Sequence, residues 1–468
     1  MRDSRPIAGA ALLLSCVATD AFPDTWARFR GPNGSGIAIG HSYPTQFDGQ
    51  TLIWKRAIPT GKSSPIVTAS HIFLTAAQNR KLTVLCLDST TGKTVWERSV
   101  DQPRSEFQHP LNSSASATPA TDGENVYAFF GDFGLISFDR KGKERWRTLL
   151  GPFTSLWGMA ASPVLVGQNV VLLLDGFGES NIAAFDQRTG KQVWKADREP
   201  FALNYSTPVV RRAPDGKDEI LAAGPRQIVA YDSESGRVRW SAGIPGGSIV
   251  ASPVLGSDLA FTLTNSLEAV PSFDEQLKNL DTNRDGQLSS NEFGPGENAR
   301  VLQTFGSFYG NRNGIVEPAE WAEVWRGWVG RPAVTASRLG NVVSAPSATA
   351  WSHFRNVPRV SSPLVFEGVL YMVANGGILT ALDAGTGEVL KTGRLTGAVD
   401  NYFASPAASG DKLYFTSESG KIVVIKPGAD WSILAVSDLG VECYATPALS
   451  RGTIFVRTAN SLSSFRSK

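Results

Sequence analysis

The feature that most limits what this chain can fold into is a unit that repeats eight times. Its first half is a small residue, a Ser or Thr, a proline and an apolar run. It reads "SSPIV" from Ser63, "SATPA" from Ser116, "ASPVL" from Ala161, "STPVV" from Ser206, "ASPVL" from Ala251, "SSPLV" from Ser361, "ASPAA" from Ala404 and "ATPAL" from Ala445. The prolines Pro65, Pro119, Pro163, Pro208, Pro253, Pro363, Pro406 and Pro447 keep the count. Most stand about 41–54 residues apart, near the spacing of propeller blades. One interval, from Pro253 to Pro363, is far longer.

The second half of the unit is Asp, a turn with Gly, a cation and then Trp. It reads "LDSTTGKTVW" to Trp96, "FDRKGKERW" to Trp146, "FDQRTGKQVW" to Trp194 and "YDSESGRVRW" to Trp240. A weakened copy, "LDAGTGEVL", begins at Leu382. Asp stabilises such a turn through its carboxylate, and Gly supplies positive φ. A large flat ring on the strand after the turn is expected to pack between neighbouring sheets rather than to bind a ligand.

Each unit holds about four apolar runs. In the third they are "SPVLVG", "NVVLLLDG", "NIAAFDQ" and "QVWKAD". Gly 46 and Pro 27 against Met 3 suit many short strands joined by tight turns. Four strands per unit, repeated radially, predict an all-β fold, an eight-bladed β-propeller. The last unit, from Tyr444, ends at "SLSSF" without its Trp strand. The missing strand is at the front: "LIWKRAI", Leu52 to Ile58. The N-terminal strand is therefore expected to close the last blade and remove an open edge.

Residues 1–21 read as a signal peptide. Arg2 and Arg5 precede an apolar stretch, Ile7 to Ala18, too short to span a bilayer. Cleavage is placed after Ala21. A second option is the loose lipoprotein box Leu13-Leu14-Ser15-Cys16, with lipid on Cys16. Either way the mature protein is expected to be exported, periplasmic or extracellular. No later run is long enough for a transmembrane helix. Lys+Arg 45 against Asp+Glu 43, with no basic run, gives no case for nucleic acid. Cys86 and Cys443 are read as buried free thiols in preference to one disulfide.

Motifs such as "AAFDQRTGKQVW" and "VAYDSESGRVRWSAG" resemble the tryptophan-docking repeats of pyrroloquinoline-quinone (PQQ)-like propellers. That group includes quinoprotein dehydrogenases and BamB-type outer-membrane assembly lipoproteins. The opening "WARFRGPNGSGIA", Trp26 to Ala38, is similar to that of a BamB-like subgroup of exported bacterial PQQ-like repeat proteins. The resemblance spans about Trp26 to Phe465, apart from an insert. It implies the propeller fold and leaves activity open, because one fold serves enzymes and scaffolds alike.

The insert fills the long interval. "LDTNRDGQLSSNEF", Leu280 to Phe293, has the spacing of an EF-hand calcium loop. Calcium takes 6–8 hard oxygens, drawn from set positions of a 12-residue loop. Those positions hold Asp281, Asn283, Asp285, Gln287 (through its carbonyl), Ser289 and Glu292, with Gly286 at the sharp turn. Ahead of it "SFDE" from Ser272 reads as a capping box, and Phe273, Leu277 and Leu280 form a helical stripe. A second, weaker hand follows in "YGNRNGIVEPAE". Asn311, Asn313, the carbonyl of Ile315, Glu317 and Glu320 take the ligand places, and Tyr309 replaces the usual first Asp. Its exit helix begins at Pro318, with Trp321, Trp325 and Trp328 as an apolar stripe.

The organisation predicted is a propeller over 22–271, an EF-hand-like insert over 272–330 and the rest of the propeller over 331–468. The insert falls in blade 5, which starts at Ser252 and resumes near Arg338, with Trp351 on its Trp strand. Calcium is the cofactor expected. The preferred function is a calcium-binding, non-catalytic scaffold that meets another envelope protein or an extracellular ligand. The alternative is a PQQ-dependent dehydrogenase. It lacks an adjacent Cys pair and a C-x-x-C-H haem motif, and PQQ itself is not expected. A hydrolase or lyase is poorly served by four His (His41, His71, His109, His353) without metal spacing. The segments between blades mark a ligand face, with His109, Asn112, Trp157, Asn204, Tyr205, Asn401 and Tyr402 as candidate contacts.

Overall fold

In the computed structural model, eight sheets are arranged as the blades of a propeller: seven are four-stranded and antiparallel, and that of blade 7 adds a fifth, parallel strand to its four antiparallel ones. The structure describes residues 25–105, 108–153, 155, 157–176, 179–198, 204–224, 226–265, 272–289, 292, 313–326, 332–340 and 348–467. Residues 1–21, read from the sequence as a signal peptide, and with them Cys16, lie outside these, as does Tyr309. Blade 1 is Ile66–Val67, His71–Gln78, Lys81–Asp88 and Thr94–Asp101, from the inner to the outer strand. Blades 2, 3 and 4 follow at 120–149, 164–198 and 209–243, and blades 6 and 7 at 364–394 and 407–438.

Blade 8 is closed from the front of the chain. Leu52–Ala57 pairs antiparallel with Ser461–Arg466 as its outer strand, with Ala57 opposite Ser461 and Leu52 opposite Phe465. Blade 5 carries the insert between its second strand, Leu259–Thr264, and its third, Ala333–Arg338. The propeller thus resumes at Ala333 rather than near Arg338. Its outer strand, Thr349–His353, bears Trp351 as expected.

The Ser or Thr before each repeated proline has a use that its local sequence does not state. Proline removes one N–H from the start of the inner strand. The residue before it still has its own N–H, buried against the next blade, and this needs an acceptor. The hydroxyl one blade on provides it. Ser64 N donates to Thr118 Oγ1 at 2.9 Å, and Thr118 N to Ser162 Oγ at 3.0 Å. The chain of bonds continues through Thr207, Ser252, Ser362, Ser405 and Thr446, each at 2.9–3.0 Å. Thr446 N then donates to Ser64 Oγ at 3.0 Å. Eight hydrogen bonds therefore form a closed belt around the axis.

The Asp–Gly–Trp half works between blades at the periphery. Asp88 Oδ1 accepts from the N–H groups of Thr90 and Thr91 at 3.1 and 2.7 Å, which closes the turn. Trp54, Trp96, Trp146, Trp194 and Trp351 each lie on a glycine of the next blade: Gly92, Gly142, Gly190, Gly236 and Gly387. A Cβ at any of these would stand 2.4–2.7 Å from the ring. The indole N–H also donates across the seam, as from Trp96 to Arg140 O at 2.9 Å and from Trp146 to Gln187 O at 2.9 Å. Trp240 departs from the pattern and donates to Glu219 Oε2 of its own blade at 3.3 Å. Between these two layers lie the apolar faces, such as Phe73, Val84 and Trp96 against Val126, Phe130 and Phe138. Cys86 is buried in that layer and Cys443 in the layer that closes the ring; both are free thiols. Among the described residues, no helix is long and apolar enough to cross a membrane.

Candidate functional site

The faces of the ring are defined by hydrogen bonds between connections. Asn204, in the link from blade 3 to blade 4, donates to Asp175 Oδ2 at 2.7 Å, and Asp175 ends the second strand of blade 3. Gln102 and Ser114, in the link from blade 1 to blade 2, both bond Asp132 in the second-to-third turn of blade 2. Asn401, between blades 6 and 7, donates to Glu418 Oε2 at 2.9 Å. Inter-blade links and second-to-third turns therefore share one face, the mouth. The insert leaves blade 5 from a second-to-third turn, so it is rooted on this face as well.

The predicted ligand-face residues all lie on these links, but several serve the fold. Asn112 Nδ2 donates to Trp157 O at 2.5 Å. Asn204, Tyr205 and Tyr402 are buried, and Tyr402 donates to Ala398 O at 2.7 Å. His109 packs edge-on to Trp157 with centroids 6.2 Å apart, and Trp157 against Tyr205 at 5.3 Å. His109, Trp157 and Asn401 remain at least partly exposed.

The residues that sequence reasoning missed stand three places before the repeated proline. Phe403, Tyr444 and Lys62 hold that place in blades 7, 8 and 1. The belt sets them side by side at one height. Phe403 and Tyr444 stack with centroids 5.8 Å apart, and Lys62 Nζ lies 4.3 Å from the centre of the Tyr444 ring. Tyr444 Oη donates to Glu418 at 3.1 Å, with Glu442 at 3.5 Å. Burial, then the hydrogen bond to Glu418, pushes the Tyr444 phenol up to about 12. Burial lowers the Lys62 ammonium, while Glu442 and Glu418 oppose that shift. Aligning all eight links on their prolines would have exposed this column.

The opposite face is closed by residues 26–38, the segment whose sequence is similar to that of the exported subgroup. It runs across the inner strands like a plug. Trp26 bridges to Val67 of blade 1, and Ala27 O accepts from Thr121 N of blade 2 at 2.9 Å. Asn33 exchanges two bonds with Val210 of blade 4. Arg28 and Arg30 donate to the carbonyls of Pro208 and Pro363, each at 2.6 Å. Ile37–Ala38 then adds a parallel strand inside blade 7. Arg30 is fully buried; burial, with Arg28 beside it, lowers its guanidinium to about 9, so it remains a cation at neutral pH. Between plug and blades 2–4 is a pocket of ≈ 300 Å³ that includes Arg28, Thr121, Val166 and Asp218.

The insert has the local geometry of paired loops. Helix α1, Phe273–Leu280, ends at Asp281. Ser272 precedes it as predicted, but its hydroxyl makes no capping bond; its carbonyl accepts Gln276 N instead. Asp281 accepts from Asp285 N and Gly286 N at 3.1 and 2.9 Å, where Gly286 has φ +78°. Glu292 folds back to Thr282 N, Asn283 N and Ser289 N at 2.9–3.3 Å. These bonds, that from Ser289 N first, hold its carboxyl below the usual range. In the second loop Glu320 accepts from Glu317 N at 3.1 Å, the same relation as Glu292 to Ser289. Gly314 has φ +81°. Leu288 pairs with Val316 and Ser289 with Ile315, and Leu288 and Val316 are buried. Phe273 of α1 meets Trp321 of helix α2, Pro318–Arg326, edge-on at 6.0 Å. Asn311 and the exit of the first loop lie outside the described residues.

Among the described residues, no three His, Cys, Asp or Glu side chains converge closely enough to hold a metal ion by themselves. The carboxylates of the first loop bond its backbone N–H groups instead. The donor set nonetheless fits calcium. Asp281, Asp285 and Glu292 come from positions 1, 5 and 12 of one loop, and Asn283 and the Gln287 carbonyl supply neutral oxygens.

A family model described as Outer membrane protein assembly factor BamB matches residues 45–175, 178–316 and 330–466. The protein of that name from Yersinia pestis is 24% identical over 291 residues, 59% of this chain and 67% of the relative. That from Bordetella pertussis is 24% identical over 269 residues, 55% of this chain and 60% of the relative. The crystal structure of BamB from Moraxella catarrhalis aligns with a TM-score of 0.56 at 12% identity, over 89% of this chain and 98% of that one, which shows a shared fold. With three matched segments that together cover most of its length, the chain belongs to the family of the outer membrane protein assembly factor BamB.

Proposed function

We propose that this chain is a calcium-binding, non-catalytic propeller that serves as an interaction scaffold in the cell envelope. The observation that carries the calcium reading is the antiparallel pairing of Leu288–Ser289 with Ile315–Val316, which joins two loops of EF-hand spacing. Asp281, Asn283, Asp285, Gln287 and Glu292 would hold the ion in the first loop, with Ser289 through water. Asn313, Ile315, Glu317 and Glu320, together with Asn311, form a weaker second set. Bound calcium would act as a constant staple, since an extracellular module needs only ~10⁻⁴–10⁻³ M affinity. Calorimetry of the full chain with Ca²⁺ tests this: saturable heat is expected, and Glu292→Gln should abolish it. No heat at millimolar calcium would refute the reading.

The scaffold reading is supported by the family, whose relatives are described as assembly factors, and by a mouth whose polar groups bond one another. The segment 1–21 supports export, with the partner another protein of the envelope. Affinity capture from native envelopes, scored against the denatured chain, tests it; no protein enriched over that control counts against it.

A further inference from the structure

We propose that the mouth above blades 7, 8 and 1 receives a lysine or arginine side chain from a basic segment of the partner protein. The inference rests on the scaffold reading and adds the chemistry of the partner. Phe403, Tyr444 and Lys62 occupy one repeat position in three consecutive blades, so the hydroxyl belt fixes their order and height. Lys62 Nζ already lies 4.3 Å over the Tyr444 ring. A cation over an aromatic face is held by the ring quadrupole, and the fold itself places one there.

The charge around this column is unbalanced. Glu418 and Glu442 bracket the Tyr444 hydroxyl at 3.1 and 3.5 Å, and Asp400 accepts from Ser419 N at 2.9 Å beside them. Among the described residues these three carboxylates bond N–H, amide and hydroxyl groups and form no ion pair. Among the described residues Lys62 is the one ammonium in contact with the column, and it also donates to Pro110 O at 2.9 Å. Glu442 is exposed on the rim. An incoming cation therefore meets two stacked rings and an excess of negative charge. Lys62 competes for the same ring.

Tetralysine and its tetra-N-acetylated form, titrated into the full chain by calorimetry at low salt, test this. Tetralysine is expected to bind and the acetylated peptide not. Glu442→Gln and Tyr444→Ala should each weaken binding about 10-fold, the size of a desolvated cation–π or charge contact. Lys62→Met should tighten it. The proposal is overturned if the acetylated peptide binds equally, if Glu442→Gln changes nothing, if Lys62→Met weakens binding, or if a neutral oligosaccharide displaces the peptide. Capture of the same envelope protein by wild type and Glu442→Gln alike would leave the scaffold reading standing and end this one.

Discussion

The backbone N–H of Thr446 donates to the hydroxyl of Ser64 at 3.0 Å, although 382 residues separate them along the chain. This bond joins the last blade to the first at the axis, as the pairing of Leu52–Ala57 with Ser461–Arg466 joins them at the rim. Arg457 adds a third tie nearby. It is buried in blade 8 and donates to Ser63 O and Thr75 O of blade 1, both at 2.9 Å. The ring is therefore closed at several radii by groups that repeat or terminate the same unit.

The belt predicts an asymmetry between two substitutions at one place. Ser64→Ala leaves the buried Thr446 N–H without its acceptor, at a cost of about 1–3 kcal/mol. Ser64→Thr keeps the hydroxyl and should cost less. Urea unfolding of both variants measures the difference; equal midpoints would remove the belt as a source of stability.

The docking glycines predict a second contrast. Gly142 and Gly123 both have positive φ, +79° and +94°. A Cβ at Gly142 would stand 2.7 Å from the Trp96 ring, whereas one at Gly123 meets nothing within 4 Å. Both alanine variants bear the left-handed backbone strain of about 1–2 kcal/mol. Gly142→Ala must in addition displace a buried indole, so it should lose roughly 1–3 kcal/mol more. Thermal unfolding of the two variants decides it.

The units, the strand count, the Trp strands and the closing strand were legible because each is a local pattern repeated at a fixed spacing. The hydroxyl belt was visible only as letters before proline: its bonds cross between blades, and no single repeat contains both partners. The plug was legible as a motif and not as a structure. Trp26, Arg28, Asn33 and Ile37 find partners in blades 1, 4 and 7, which exist side by side only once the ring has closed. For the same reason Asn204 and Tyr402 read as ligand contacts while the fold uses them internally. Lys62 and Tyr444 stand in different repeats and face each other only where the last blade meets the first.

The turn aspartates predict acid lability. Asp88 and Asp186 lie below the ordinary value of 3.8, chiefly through the hydroxyls of Thr91 and Thr189, and Asp383 through the N–H of Thr386. A carboxyl whose folded value is depressed contributes stability that is full above its unfolded value and is lost as pH falls through the folded one. Stability should therefore hold at neutral pH and fall as pH drops below about 4. Asp88→Asn keeps a turn acceptor without the charge, so part of that slope should vanish. Denaturant midpoints at stepwise lower pH, compared between wild type and variant, give the result; parallel curves would contradict it.

The insert predicts a cut that leaves the ring intact. It joins two strands, Leu259–Thr264 and Ala333–Arg338, that pair with each other along their whole length, from Leu259 opposite Arg338 to Thr264 opposite Ala333. Blade 5 therefore does not need the insert to keep its register. If calcium orders the paired loops, a chelator should expose them to protease while the blades stay resistant. Limited proteolysis with chelator is expected to yield two fragments, cleaved between 266 and 332, that elute together at the size of the uncut protein. With calcium the same digestion should be slower. Cleavage at one rate in both conditions would detach calcium from the order of the insert, and fragments that separate would show that blade 5 depends on the continuous chain.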